Sequence, residues 1–277
     1  MLLRVGHLLL MRRMDRGAFD TAGTIIGMPS TLPTHPLAVL PLKLWRPRWF
    51  DGVAMVAGAA APDTAYAFDR MTYGAKVPRH GVHAWGYSTE HLLGALWWSV
   101  PVALLIAWLI RLGAPVVAAH LGRQDGWARD YAVLGRVRHR WWITVSSAAI
   151  GVASHLLWDL VTHPGPLDSW FVIRQTSDYA SLILTPLFIW YAGSRRLLRQ
   201  WHGAPPAVDR LPKVFWPAAA VVFACGAAVT WHLGYHGPHI VGVRLITSLM
   251  LGLLAGAAAV AVAARTARVD EEQKVSV

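Results

Sequence analysis

The sequence predicts an all-α, multi-pass membrane helix bundle, with about five full spans and an N-terminal hairpin of two half-length helices. Three observations predict it. Composition is 55% hydrophobic and only 15% charged, with mean hydropathy +0.39; a soluble domain carries roughly 25% charged residues. Apolar runs of bilayer length recur along the chain. The 26 Lys and Arg, which set a net charge of +11, gather in short segments between those runs. That distribution fits positive loops on the cytoplasmic side and an anionic lipid surface, not a nucleic-acid footprint.

Residues 92–112 form the first expected span, with Pro101 inside it. Proline is tolerated within membrane helices because neighbours satisfy the freed carbonyl. Residues 113–140 read as a polar connection carrying Arg123, Arg129, Arg136, Arg138 and Arg140. The second span is 141–163, stopped by Pro164-Gly165-Pro166. A shorter third run covers 179–192, and a basic connection with Pro205-Pro206 covers 195–213. The fourth span is 214–233. The fifth, 240–264, is rich in Gly and Ala, which suit close helix packing.

The N-terminal part is less regular. Runs 36–44 and 53–61 are apolar but too short to cross a bilayer alone. They predict a hairpin whose basic tip holds Lys43, Arg46 and Arg48 and whose open ends carry His35 and Asp63. Residues 1–27 form an N-terminal extension, expected to be disordered, with Met28 as an alternative start. Residues 28–264 form the membrane domain, and 265–277 a charged tail, expected to fray. No soluble second domain, internal repeat or secretory signal is expected. Cys225 is the single cysteine, so an intrachain disulfide and a thiolate metal cluster are excluded.

Orientation follows from the basic segments. With 111–140 in the cytoplasm, 195–213 and 265–268 fall there too. The outer side then receives the start of the first span, the end of the second and the turn at 235–239. It also receives His35 and Asp63, if the hairpin tip points inward. The expected location is therefore the cell membrane, with the bilayer as the one assured partner.

The chemistry centres on the second span. His155, Asp159 and His163 stand at i, i+4 and i+8, on one face of a helix. Ionisable groups are costly inside a membrane, so they ask for a reason. Imidazole and carboxylate together suit zinc or another divalent ion. A bound metal makes hydroxide available near neutral pH. Asp63 and Asp159 are each candidates for ligand, catalytic base or the partner that orients a histidine.

Five places converge on the outer side: His35, Asp63, the stretch 80–91, the His155/Asp159/His163 helix, and Asp178. Plainer readings stand beside each. His155 and Asp159 could pair with one another as helix glue. His163 could be a favourable charge at a helix C-terminus. His80 and His83 suit a solvated loop, and His232, His236 and His239 suit an interface. Thr34 suits a helix N-cap.

Three motifs resemble an uncharacterised bacterial membrane family, domain of unknown function 4184. They are Met28-Pro29-Ser30-Thr31-Leu32-Pro33-Thr34-His35-Pro36, then Ala61-Pro62-Asp63 with Tyr66, then Ser154-His155-Leu156-Leu157-Trp158-Asp159 with Thr162-His163. The resemblance covers 28–190. It implies a distant similarity to inner-membrane proteins assigned as metal-dependent hydrolases, and a more remote one to zinc-dependent phospholipase C and related nucleases. It also implies a ligand set of His35, Asp63, His155 and Asp159, completed or oriented by His163 and by Glu90 or His91. The chain departs from the family pattern twice. Thr89-Glu90-His91 stands where the family tends to His-Ser or His-Thr. Gln175-Thr176-Ser177-Asp178 stands where it tends to Gln-His, so Asp178 would have to replace a histidine.

The expected function is therefore a metal-dependent hydrolase opening at the outer membrane face, acting on a lipid or other phosphoester. The alternatives are a transporter or proton- or cation-handling protein using the same residues, and a structural membrane protein without catalysis.

Overall fold

The computed structural model describes residues 31–68, 92–122, 126–162, 170–233 and 238–275. All regular structure among them is helical: α1 (Thr31–Trp45), α2 (Gly52–Ala60), a 3-10 segment (Pro62–Phe68), α3 (Leu92–Leu121), a second 3-10 segment (Trp127–Arg136), α4 (Trp141–Thr162), α5 (Trp170–Ser194), α6 (Leu197–His202), α7 (Pro212–Leu233) and α8 (Pro238–Val275). The extension 1–27, Glu90, His91 and His163 lie outside the described residues, as do His80, His83 and His236.

Three helices are long and apolar enough to cross a membrane: Trp97–Leu121 of α3, Pro212–Leu233 and Ile240–Lys274. Their outward faces are apolar, with Leu105, Trp108, Leu112, Val221, Leu251 and Val262 all exposed. Such a surface is costly in water and at ease in lipid. Helix α4 has 22 residues and α5 has 25, length enough to span. Polar residues such as Ser146, Ser147, His155 and Asp159 dilute the apolarity of α4.

The two half-length helices form as expected, but the hairpin tip differs. Arg46 and Arg48 are exposed, whereas Lys43 is buried. Its Nζ donates to the carbonyls of Pro47 (2.6 Å) and Phe50 (2.8 Å), which the turn leaves without helical partners. Thr34 is not an N-cap, because α1 begins three residues earlier. Its hydroxyl donates instead to Ser181 of α5 (2.8 Å).

Besides α1, which starts at Thr31 rather than at residue 36, three helices outrun their expected ends. Helix α3 continues to Leu121 through Pro115, so the polar connection is shorter than its composition suggests. The carbonyl freed by Pro115 is that of Arg111, and Gly135 of the second 3-10 segment packs on both residues. Helix α5 starts at Trp170, well before the apolar run. Helix α8 carries through the charged tail to Val275.

The contact that positions the site is α2 against α4. A Cβ on Gly58 would run into the Ala148 carbonyl, and one on Gly151 into the Met55 carbonyl. The two backbones therefore touch, as only small residues allow. Ala54, Ala57, Ala59 and Ala148 fill the rest of the seam, all buried.

Candidate metal centre

The site grows out of that seam. His155 lies one turn beyond Gly151, on the same face of α4. The backbone contact carries its ring to the C-terminal end of α2. The carbonyl of Ala59 is one of the last four of that helix and lacks a partner within it. His155 Nδ1 lies 2.7 Å from it. A carbonyl only accepts, so Nδ1 carries the hydrogen, and the bond fixes both tautomer and ring orientation. Nε2 then points away from α2, toward the acids.

Asp63 stands in the first turn of the 3-10 segment that follows α2. Its Oδ1 is 3.9 Å from His155 Nε2. Asp159, one turn along α4, brings Oδ2 to 3.1 Å from the same nitrogen. Its other oxygen, Oδ1, is 3.5 Å from Nε2 of His35. His35 comes from α1, and its ring stacks on that of His155 with centroids 3.8 Å apart and planes 26° apart. Four side chains from three separate segments thus meet at one point.

His35, Asp63 and His155 each offer one ligand atom, all within 4.8 Å of one another, and all three residues are buried. Two imidazoles and a carboxylate are a donor set suited to zinc. Asp159 adds a carboxylate in contact with both rings. Of the residues expected at the site, the structure brings together His35, Asp63, His155 and Asp159. Asp178 is buried on α5, where its carbonyl accepts from Ser181, the residue that holds Thr34 beside His35. His232 is exposed at the end of α7, and the side chain of His239 lies outside the described set.

The sequence reading missed a second polar centre, at the other end of the α2–α4 seam. Asp51 caps α2: Oδ1 accepts from the Ala54 amide (3.2 Å). Oδ2 accepts from Thr144 (2.8 Å) and pairs with Arg111 of α3. Ser147 accepts from the Asp51 amide (2.9 Å). Burial pushes the Asp51 carboxyl up, but Arg111, Thr144 and the Ala54 amide outweigh it and hold it below the usual range. Arg111, expected among the loop cations, is instead this ion-pair partner. Beside it, Lys43 Nζ lies 3.4 Å from His202 Nε2. Burial lowers the Lys43 ammonium to about 8 despite the attraction of Asp51. Burial and the nearby Lys43 lower His202 to about 4. An aspartate before a glycine and an apolar run is a capping signal, and a lone arginine late in an apolar run is a pairing signal. Both were present in the sequence.

Comparison with curated proteins and with solved structures returns no match. Residues 28–192 match the family described as Domain of unknown function (DUF4184), against the 28–190 expected. That stretch takes in α1 through most of α5 and every residue of the metal-ligand cluster. It is more than half of the chain, and the protein belongs to this family.

Proposed function

We propose that this protein is a multi-pass membrane metal-dependent hydrolase whose site opens at the outer membrane face. The observation that carries the reading is the meeting of His35, Asp63 and His155, three buried potential ligands from α1, the first 3-10 segment and α4. Helices α3, α4, α5, α7 and α8 are the five crossings of this proposal. The positive-inside rule sets the site on the side away from Arg136, Arg138, Arg140, Arg195 and Arg196.

His35, Asp63 and His155 would hold a divalent ion, zinc being the best match to two nitrogens and an oxygen. When bound, such an ion polarises the scissile bond and supplies hydroxide at neutral pH. The chain's own part is positioning and proton handling. The Ala59 carbonyl fixes the His155 ring, and the α2–α4 seam fixes the separation of Asp63 from it. Asp159 reaches both imidazoles and is more exposed than the other three, so it is the residue suited to take a proton from water. A phosphoester, in a lipid headgroup or a soluble molecule, is the substrate class.

A second reading, polar glue within a helix bundle, draws on the 3.1 Å contact of His155 with Asp159. The transport reading gains less, since backbone contact at Gly58 and Gly151 closes the seam between the two polar centres. Elemental analysis of purified protein separates the first two. The hydrolase reading expects about one divalent ion per chain, lost in His155→Ala. Metal-free wild-type protein from metal-replete cells would sink it.

A further inference from the structure

Helix α8 carries a cation in a place that asks for an anion. Arg244 lies on its buried face with Ile240, Val243 and Ser248, and is only 4% exposed. Nε, Nη1 and Nη2 all lack a hydrogen-bond acceptor, and among the described residues no carboxylate pairs with it. Its carbonyl accepts from the Ser248 hydroxyl one turn on (2.7 Å), within the helix Pro238–Val275. A guanidinium stays charged at any pH a protein meets. Buried in a membrane helix, it carries a desolvation cost that no carboxylate among the described residues offsets.

Its position gives the cost a use. The later part of α8 meets α3 at Gly113, through Leu254, and the start of α7 at Phe215 and Ala219, through Gly256 and Gly252. Ser248, one turn past Arg244, packs on Gly226 of α7, and α8 also packs on the 3-10 segment Pro62–Phe68. Asp63 belongs to that segment. The segment that supplies this candidate ligand is therefore one on which the helix carrying the unsatisfied guanidinium packs.

We propose that Arg244 is an anion-recognition residue that receives the phosphate of a phosphoester beside the His35/Asp63/His155 cluster. For the fate of that phosphoester the proposal rests on the hydrolase reading; the binding itself does not. The fork of five N–H donors matches the non-bridging oxygens of a phosphate. A neutral ester or amide would leave the buried charge uncompensated. A phosphoester carries its charge both before and after hydrolysis. It also needs a cation here, because Asp63 and Asp159 would otherwise repel it.

The test uses the full-length protein in zwitterionic detergent, read as the thermal midpoint during titration. One arm adds inorganic phosphate. The other adds phosphatidylglycerol to the micelles, with phosphatidylcholine as control. Wild type is expected to be stabilised by at least one probe, and Arg244→Met to need about 10- to 100-fold more of it. Without probe, R244M should melt at or above the wild-type midpoint, because it removes an uncompensated buried charge. A response to phosphate alone assigns a soluble phosphoester; one to phosphatidylglycerol alone assigns a lipid headgroup. The proposal is overturned if R244M responds as wild type does, if wild type responds to neither probe, or if R244M without probe melts well below wild type. Metal analysis of the same samples keeps the two ideas apart. An Arg244-dependent response in metal-free protein removes the hydrolase reading and keeps the anion site. Bound metal without such a response does the reverse.

Discussion

His35 and His155 stack face to face across the α1–α4 contact, ring centroids 3.8 Å apart. Asp159 completes the arrangement by giving one carboxylate oxygen to each ring. Neither histidine is therefore an independent unit. Single replacements His35→Ala and His155→Ala should each reduce bound divalent metal from about one equivalent to under about a tenth. The double variant should be no worse than either single one, since residues of one network are not additive. Metal content by elemental analysis of the four proteins is the check. Additive, partial losses would argue for two separate weak sites.

The Asp51–Arg111 pair ties the N-terminus of α2 to α3 with the carboxylate fully buried. Removing one partner strands the other charge. Asp51→Ala should cost about 3–5 kcal/mol, part of it from the lost cap on the Ala54 amide. Asp51→Leu combined with Arg111→Met should cost clearly less than Asp51→Leu alone, because no charge is left uncompensated. A double-mutant cycle by denaturation in detergent measures the difference. Equal losses in the single and double variants would mean that the ion pair is not what holds α2 to α3.

The α2–α4 seam allows a sharper packing test, because two glycines on transmembrane-length helices have opposite surroundings. Gly151→Ala drives a methyl group into the Met55 carbonyl. It should cost about 1–3 kcal/mol or more. It should also weaken metal retention, since His155 lies one turn further along the same face. Gly242 of α8 faces open space, so Gly242→Ala should be neutral or stabilising by up to about 1 kcal/mol. Thermal midpoints and metal content of the two variants decide. Equal effects would mean that the seam yields easily and does not set the site's geometry.

Much of this is legible in the sequence. The half-helix pair, the i, i+4 spacing of His155 and Asp159, and the convergence of His35 and Asp63 upon them follow from hydropathy period and loop charge. What was not legible has a common cause. By charge and position Lys43 and Arg111 look like loop cations and nothing marks Arg244, yet each is wholly or largely buried. Hydropathy sums treat a cation as a solvated group. Whether it snorkels, pairs or waits for a ligand depends on which carbonyls and carboxylates the tertiary fold brings near. Helix ends were misjudged for a related reason. Pro115 reads as a stop, but Gly135 of the second 3-10 segment packs over the carbonyl it frees. The charged stretch after Ala264 reads as a tail, yet it sustains a helix to Val275.

The polar centre around Lys43 makes stability depend on pH in two separate windows. Lys43 falls from its ordinary 10.5 to about 8, pushed chiefly by burial. Between pH 8 and 10.5 the unfolded chain holds this proton and the folded one does not. Stability should therefore rise with pH across that window. His202 falls from 6.5 to about 4, again chiefly by burial, with Lys43 and His139 adding repulsion. Between pH 4 and 6.5 the unfolded chain again binds the extra proton. The stabilisation present above pH 6.5 should accordingly be lost as pH drops toward 4. The two groups touch, since neutral His202 Nε2 accepts from Lys43 Nζ at 3.4 Å. Protonating His202 removes that acceptor and sets two cations side by side. Midpoints measured from pH 4 to 10 should thus show an acid limb that flattens in His202→Gln, and an alkaline rise that flattens in Lys43→Met. In K43M the acid limb should also shrink, because half of the repulsive pair is gone. An acid limb unchanged in H202Q would show that it comes from other groups, with the Asp51 carboxylate, held below its usual range, the first to examine.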